Sequence, residues 1–175
     1  MAQNPEPNWL PERRVAKRSV RKMDPGQNEG GGSEPQVLED RDAGGFWMTK
    51  AQNNPQGQRV LVNEFVSAAL GRRFGAAVQP AAVLDIPSDI AERIKHGSGA
   101  AWATGPSFAS ELMDKAAVYA PDMLADASDP VGLAKVPVLD TWIGINDGRQ
   151  ARGQRVDTKY DIRAVDFGHS LGNPN

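Results

Sequence analysis

The sequence contains no cysteine and no long apolar run. The first absence excludes disulfides, thiolate zinc sites and thiol nucleophiles, and it fits a reducing compartment. The second argues against a membrane-spanning helix, which needs about 18 consecutive apolar residues. A strong charge of one sign is also missing, because 20 Lys and Arg oppose 22 Asp and Glu. The first residues, MAQNPEPNWLPERR, form no apolar signal core, so we expect a cytoplasmic protein that does not attach to membranes.

The length of 175 residues predicts about one domain, and 18 Gly and 13 Pro predict many turns. Residues 1–28 are expected to form a flexible, proline-rich and basic N-terminal segment. Its basic residues are Arg13, Arg14, Lys17, Arg18, Arg21 and Lys22. Two interpretations of them stay open: an arm that binds nucleic acid, or the solvated edge of a strand or helix. We favour the edge, because few aromatic residues lie nearby to stack on bases.

Hydrophobic periodicity predicts the elements of the remaining chain. Residues 35–39 and 46–51 are expected to form a hairpin, residues 59–74 a helix that ends at Gly75, and residues 81–86 a buried strand. Further helices are predicted at 89–95, 108–119 and 131–145, the last with a break or late start at Pro137. A polar loop is predicted after Asp147, followed by a strand at 163–165.

Lys50 is the first residue whose placement suggests chemistry. The alternation of the predicted strand puts it on one face with Phe46 and Met48, where an ammonium group is costly unless it is paired. Glu64 lies inside the apolar stretch of the following helix and is a suitable partner. The alternative is that Lys50 reaches solvent along its aliphatic chain and Glu64 lies on the exposed edge of the helix.

Polar residues occur along the chain in an order suited to phosphate chemistry. Gly30, Gly31, Gly32 and Ser33 form a turn whose backbone N–H groups can approach phosphate oxygens, although a flexible linker explains it equally well. After Lys50 and Glu64 come two aspartates, Asp147 and Asp166. One could orient an acceptor hydroxyl while the other holds Mg²⁺. Taken singly, each aspartate is also explained as a turn former.

Three stretches carry a family resemblance: FWMTKAQNNPQGQRVLVNEFVSAALGRRFG, LDTWIGINDGR and AVDFGHSLG. The sequence resembles the HipA-like kinase family over residues 30–172. The resemblance implies an α+β, protein-kinase-like two-lobed fold within residues 29–172, with a small lobe at about 30–86 and a larger helical lobe at about 87–172. It also implies ATP and Mg²⁺ as cofactors and transfer of phosphate to a Ser or Thr hydroxyl of a protein substrate.

By matching residues, the resemblance assigns Lys50 to the ATP phosphates, Glu64 to the pair with Lys50, Asp147 to catalysis and Asp166 to the metal. Arg152 stands where the family commonly has an asparagine that binds metal, and a guanidinium cannot ligate Mg²⁺. Either Asn146 or a rearranged loop substitutes as the ligand, or nucleotide binding is weak. The chain also ends soon after Asp166, so the larger lobe is expected to be truncated.

These features lead to an ATP-dependent phosphotransferase as the first hypothesis. The linker at 86–89 is expected to contact adenine. The main alternative is a noncatalytic, degenerate kinase fold that serves as an interaction module. An antitoxin-like partner or a partner that completes the larger lobe would fit either hypothesis.

Overall fold

The computed structural model describes residues 12–20, 32–42 and 45–172. The strands in these ranges are β1 (Glu12–Val20), β2 (Gln36–Asp40), β3 (Phe46–Lys50), β4 (Ala81–Ile86), β5 (Gly105–Glu111), β6 (Ala117–Val118), β7 (Gln150–Val156) and β8 (Lys159–Val165). The helices are α1 (Gln58–Phe74), α2 (Ser88–Ala91), α3 (Pro130–Ile143) and a 3₁₀ helix at Pro121–Asp126. The mixture of helix and strand confirms the expected α+β class.

Five strands close into a barrel in the order β1-β2-β3-β5-β4. The neighbouring pairs are antiparallel except β1 and β4, which run parallel and close the ring. The barrel interior is packed with apolar residues, including Leu38, Trp47, Leu84 and Ala109. A closed barrel was not expected from the sequence, because its closure pairs strands that are far apart along the chain.

The predicted hairpin of β2 and β3 is confirmed, with Leu38 opposite Trp47 and Val37 opposite Met48. At the end of β3, Lys50 is buried. The hairpin therefore carries a lysine from the barrel wall into the interior of the protein.

Helix α1 confirms the predicted helix and its end at Gly75, which adopts a left-handed conformation with φ of 73°. Val62, one of the apolar residues whose spacing indicates this helix, is exposed. The buried face instead includes Asn63, Glu64 and Ser67. A helix face that buries three polar side chains must give each of them a partner, and these partners lie in the candidate site.

Helix α3 confirms the predicted helix at 131–145, but it begins before Pro137 and continues through it. Asp129 caps its first turn by accepting a hydrogen bond from the Gly132 N–H. A second apolar cluster lies against this helix and contains Val78, Leu139, Ile143, Ala164 and Phe167. Strands β6, β7 and β8 form a separate antiparallel sheet, and β8 contributes Ala164 to this cluster.

Three predicted elements are wrong. None of residues 108–119 is helical, since Phe108 and Ala109 belong to strand β5, whose position between β3 and β4 supplies backbone partners on both sides. The polar loop expected after Asp147 is largely strand β7, whose residues pair in register with β8 from Gln150 to Val156. The helix predicted at 89–95 is shorter, and its α-helical part is Ser88–Ala91. In the first two cases tertiary pairing overrides a weak local pattern.

The N-terminal segment needs a partial correction. Residues Glu12–Val20, expected to be flexible, form β1 because they pair with both β2 and β4. Arg13 pairs with Asp85, Arg14 with Asp40 and Lys17 with Glu39. This matches the interpretation of a strand edge with basic side chains, while residues 1–11 and 21–31 lie outside the described part of the chain.

The barrel does not end at residue 86. Strand β5 belongs to the same barrel as β4, so the barrel extends to Glu111. No helix in the described part of the chain is long and apolar enough to cross a membrane.

Candidate active site

Lys50 is the centre of the candidate site. Its Nζ lies 2.5 Å from Oε1 of Glu64 on α1 and 3.1 Å from Oδ1 of Asp166, which follows β8. The Lys50 side chain is 9% exposed and that of Glu64 is 3% exposed. The pairing expected from the sequence is present, and the structure adds Asp166 to it.

Glu64 connects three parts of the fold. One of its oxygens accepts from Lys50, while Oε2 accepts a hydrogen bond of 2.9 Å from the backbone N–H of Phe167. Both oxygens are therefore used, as expected for a buried carboxylate that must be compensated. The side chain holds β3, α1 and the residues after β8 in one arrangement.

The electrostatics of this cluster favour charged Lys50 and Asp166. Burial disfavours the ammonium, but the carboxylates of Glu64 and Asp166 outweigh it and raise the pKa of Lys50. Burial likewise disfavours ionised Asp166, but Lys50 outweighs it and lowers the pKa of Asp166. Burial raises the pKa of Glu64, and the contacts with Lys50 and the Phe167 N–H act in the opposite direction.

Asp166 has an unusual backbone conformation, with φ of 58°. Aspartate is one of the few residues besides glycine that tolerates this left-handed region. Its Oδ2 accepts a hydrogen bond of 3.2 Å from Gln150 Nε2, and about a third of its side chain remains exposed. Asp166 therefore presents a carboxylate to the cavity while Lys50 holds one of its oxygens.

The residues after Asp166 are fixed by α1. Asn63 Nδ2 donates to the carbonyl oxygens of Gly168 and Ser170, and the hydroxyls of Ser67 and Ser170 are 2.8 Å apart. Asn63, Ser67 and Ser170 were not among the predicted site residues. A usable signal was present, because Asn63, Glu64 and Ser67 lie about one turn apart in the otherwise apolar stretch of residues 60–70.

Arg149 fixes the same segment from the other side. Its guanidinium forms two hydrogen bonds with Asp140 on α3, of 2.9 and 2.5 Å, and a third of 2.8 Å with the Val165 carbonyl. It also stacks over the ring of Phe167, 4.3 Å from the centroid. No pattern in the sequence indicates this role, since the contacts depend on how α3 and β8 pack.

A cavity of about 460 Å³ opens beside the cluster, within the usual size range of small-molecule sites. Lys50, Glu64 and Asp166 line one part of it. The wall from β5 and the residues after it includes the apolar side chains of Phe108, Leu112 and Met113. The cavity thus combines charged groups with an apolar wall.

The end of β5 and the residues after it, and not residues 86–89, line the cavity. Residues 86–89, expected to contact adenine, do not line the cavity, whereas Glu111, Leu112 and Met113 do. The reason is the position of β5 in the barrel, because the chain leaves the barrel after Glu111 and not after Ile86.

The glycine-rich turn borders the cavity at its described end. Ser33 is buried and lines the cavity, and its carbonyl accepts a hydrogen bond of 3.1 Å from Asn54 Nδ2. Gly32 lies close to the Gln56 side chain, which would be 3.1 Å from an added Cβ. Gly30 and Gly31 lie outside the described residues.

Asp147 and Asn146 lie apart from the charged cluster. Both are exposed in the loop between α3 and β7, and neither lines the cavity. Asp147 Oδ1 accepts from the N–H of Gly148, and the Asn146 N–H donates to the His169 carbonyl. The structure therefore brings together Lys50, Glu64 and Asp166 but leaves these two side chains outside the cavity lining.

No group of three or more His, Asp or Glu side chains that could hold a metal occurs among the described residues. The single carboxylate of Asp166 is enough for a Mg²⁺ ion that keeps several waters and takes its other ligands from phosphates. Its ionised carboxylate faces the cavity, which fits that role.

Residues 26–161, more than half of the chain, match the HipA-like kinase family, and the chain belongs to that family. The matched range includes Lys50, Glu64 and Asp147 and ends before Asp166. Comparisons with curated proteins and with solved structures give no match. Family membership indicates a kinase-type function, and the cavity beside Lys50 is the part of the fold where such a function has suitable residues.

Proposed function

We propose that this cavity binds ATP with Mg²⁺ and that the protein transfers the γ-phosphoryl group to a Ser or Thr hydroxyl of a protein. The observation that supports this most directly is the buried Lys50, which contacts both Glu64 and Asp166. Burying one ammonium with two carboxylates carries a desolvation cost, and clusters of this kind are concentrated at functional sites. Family membership supports the same class of reaction.

Each group of the site has a defined task in this proposal. Lys50 binds the phosphates of ATP and Glu64 holds the Lys50 side chain in place, while Asp166 binds Mg²⁺. The apolar wall at Leu112 and Met113 accommodates the base. The barrel then acts as the small lobe of a two-lobed kinase-like fold, and the elements from β6 onward act as the larger lobe.

The catalytic step requires a change in the loop that carries Asp147. In the proposed reaction the acceptor hydroxyl oxygen forms a bond to the γ-phosphorus, ADP leaves, and Asp147 accepts the hydroxyl proton. Asp147 does not line the cavity in this structure. Residues 144–148 must therefore move Asp147 toward the cavity before transfer, while Arg149 stays paired with Asp140.

The first experiment is a thermal-shift measurement of the purified protein with millimolar Mg-ATP. Binding stabilises the folded state in proportion to ligand occupancy, so the melting temperature should rise with ATP concentration. The absence of any shift, confirmed by calorimetry, would show that the cavity is not a nucleotide site.

A second candidate function is a noncatalytic kinase-fold interaction module. It is favoured by the exposed position of Asp147 and by Arg152 at the place of a metal-binding asparagine. Incorporation of labelled phosphate from ATP separates the two functions. Phosphotransfer should disappear in Asp147→Asn while nucleotide binding survives, whereas the module incorporates no label in either protein.

A further inference from the structure

Arg152 differs from the other basic residues around the cavity. It lies in the middle of β7, opposite Val118 on β6 and Arg163 on β8. Both Arg152 and Val118 line the cavity, and the Arg152 side chain is half-buried. Two residues earlier on the same strand, the side chain of Gln150 contacts Asp166. Because side chains two apart share a face of a strand, Arg152 lies on the face of β7 that serves Asp166.

The neighbouring cations are all held by carboxylates. Lys50 is paired with Glu64 and Asp166, and Arg149 is paired with Asp140. Arg163 contacts Asp161 at 2.7 Å and Glu111 at 3.6 Å.

Arg152 is the exception among the arginine and lysine residues that line the cavity. Its guanidinium makes no hydrogen bond or ion pair with any residue in the described part of the chain. It also faces the like charge of Arg163 across the strand pair. A half-buried guanidinium in this position leaves five N–H donors available for an anionic ligand.

The acidic groups of the cavity also indicate that an anionic ligand needs a further positive group. Both oxygens of Glu64 accept hydrogen bonds from the protein, and Glu111 contacts Arg163. Asp166 is thus the lining carboxylate best placed for a divalent cation. With one such carboxylate, the charge of a polyphosphate must be balanced by another positive group.

We infer that Arg152 binds a phosphate group of the nucleotide in this cavity and that nucleotide binding consequently depends only weakly on divalent cations. This inference rests on the proposed nucleotide site and adds a residue to it. The guanidinium fork matches phosphate oxygens in a bidentate geometry, which makes arginine well suited to this contact. The chemical class of the ligand is a nucleoside polyphosphate, and the contact is with the phosphate and not with the base.

The test measures dissociation constants by calorimetry for ATP, adenosine and inorganic tripolyphosphate, with excess Mg²⁺ and with EDTA. For the wild type, replacing Mg²⁺ by EDTA should weaken ATP binding by less than about threefold. Arg152→Gln should weaken ATP binding in EDTA by about tenfold or more, because a charge-assisted hydrogen bond is lost. The affinity of Arg152→Gln for adenosine should equal that of the wild type, and its affinity for tripolyphosphate should fall as its affinity for ATP does.

Arg155→Gln is the matched control. Arg155 lies on the same strand, is exposed and does not line the cavity, so this change removes one positive charge without touching the site. It should leave all three affinities unchanged. Arg152→Asn offers an oxygen ligand in place of the guanidinium and should make ATP binding more dependent on Mg²⁺. Circular dichroism of each variant verifies that it is folded.

The outcomes separate this inference from the proposed function. If the wild type binds neither ATP nor adenosine, both the proposed function and the role of Arg152 are overturned. Nucleotide binding by the wild type, together with equal ATP affinities for wild type and Arg152→Gln, overturns the role of Arg152 alone. An equal loss for ATP and adenosine in Arg152→Gln also overturns it, because the effect then does not depend on phosphate.

Discussion

Asp166 and Asp147 were expected to share one cleft, and the structure gives them different surroundings. Asp166 contacts Lys50 and Gln150, and the residues after it are held by α1. Asp147 is exposed and its carboxylate contacts the backbone of its own neighbour, Gly148. The first aspartate has a fixed position without any ligand, whereas the second has no side-chain contact that would fix it in the cavity.

This difference separates the two tasks of a kinase. The groups proposed to bind phosphate and metal are built into the packed interior, where their positions are set by folding. The group proposed to take part in transfer lies in the exposed part of the loop between α3 and β7. Substitutions in and around the charged cluster should therefore lower stability, whereas substitution of Asp147 should remove phosphotransfer without lowering stability.

The largest effect is expected for Lys50→Met. The change leaves Glu64 and Asp166 close together without their cation, and removing one partner of a buried ion pair costs about 3–5 kcal/mol. Urea unfolding monitored by circular dichroism measures this loss. Lys115→Met, at an exposed lysine in the turn before β6, is the control and should leave stability nearly unchanged. A Lys50 variant as stable as the wild type would contradict the view that the charged cluster is part of the core.

A smaller effect is expected for Arg149→Gln. The substitution removes the hydrogen bonds to Asp140 and Val165 and the stacking on Phe167, and we expect a loss of about 1.5–3 kcal/mol. Nucleotide affinity should fall as well, because Phe167 follows directly after Asp166. Urea unfolding and calorimetry measure the two effects.

A double-mutant cycle with Asp140→Asn tests the cause of the Arg149 effect. If the ion pair accounts for most of it, the double variant should be about as stable as Arg149→Gln alone. Fully additive losses would show that the two side chains act independently.

The sequence was most informative where one residue placed a physical demand on another. Lys50 on an apolar strand face needs a counter-charge, and Glu64 within an apolar stretch of a helix needs a cation, so their pairing was predicted, with a solvent-reaching Lys50 and an exposed Glu64 as the alternative. The hairpin of β2 and β3 and helix α1 were also predicted, because their periodicities are local.

The remaining parts depend on contacts that no local pattern encodes. Strand β5 contains Ser and Ala and has little strand propensity of its own, and its neighbours β3 and β4 supply the hydrogen bonds that define it. Strand β7, with the sequence QARGQRV, lacks apolar alternation and is defined by pairing with β8. The role of Arg149 likewise arises only after α3 and β8 have packed together.

A third prediction concerns pH. The pKa of Asp166 is lowered in the folded protein, so this group contributes stability at pH values above its unfolded pKa, and the contribution is lost as the pH falls through the folded pKa. Asp166→Asn removes this titrating group and tolerates the left-handed backbone conformation. The free energy of unfolding should therefore decrease less steeply on acidification in the variant than in the wild type. Urea titrations at several acidic pH values measure both slopes, and equal slopes would contradict the ion pair between Lys50 and Asp166.

The smallest effect on stability is expected for Asp147→Asn. Its carboxylate is exposed and contacts only the adjacent backbone N–H, so the free energy of unfolding and the affinity for nucleotide should match those of the wild type. Hydrogen exchange then distinguishes a loop that moves from one that stays in place. If Mg-ATP draws Asp147 toward the cavity, amide exchange at residues 144–148 should slow in the wild type on nucleotide addition. Unchanged exchange in this loop, with nucleotide bound, would favour the noncatalytic module, because the aspartate would then remain outside the cavity even when the ligand is present.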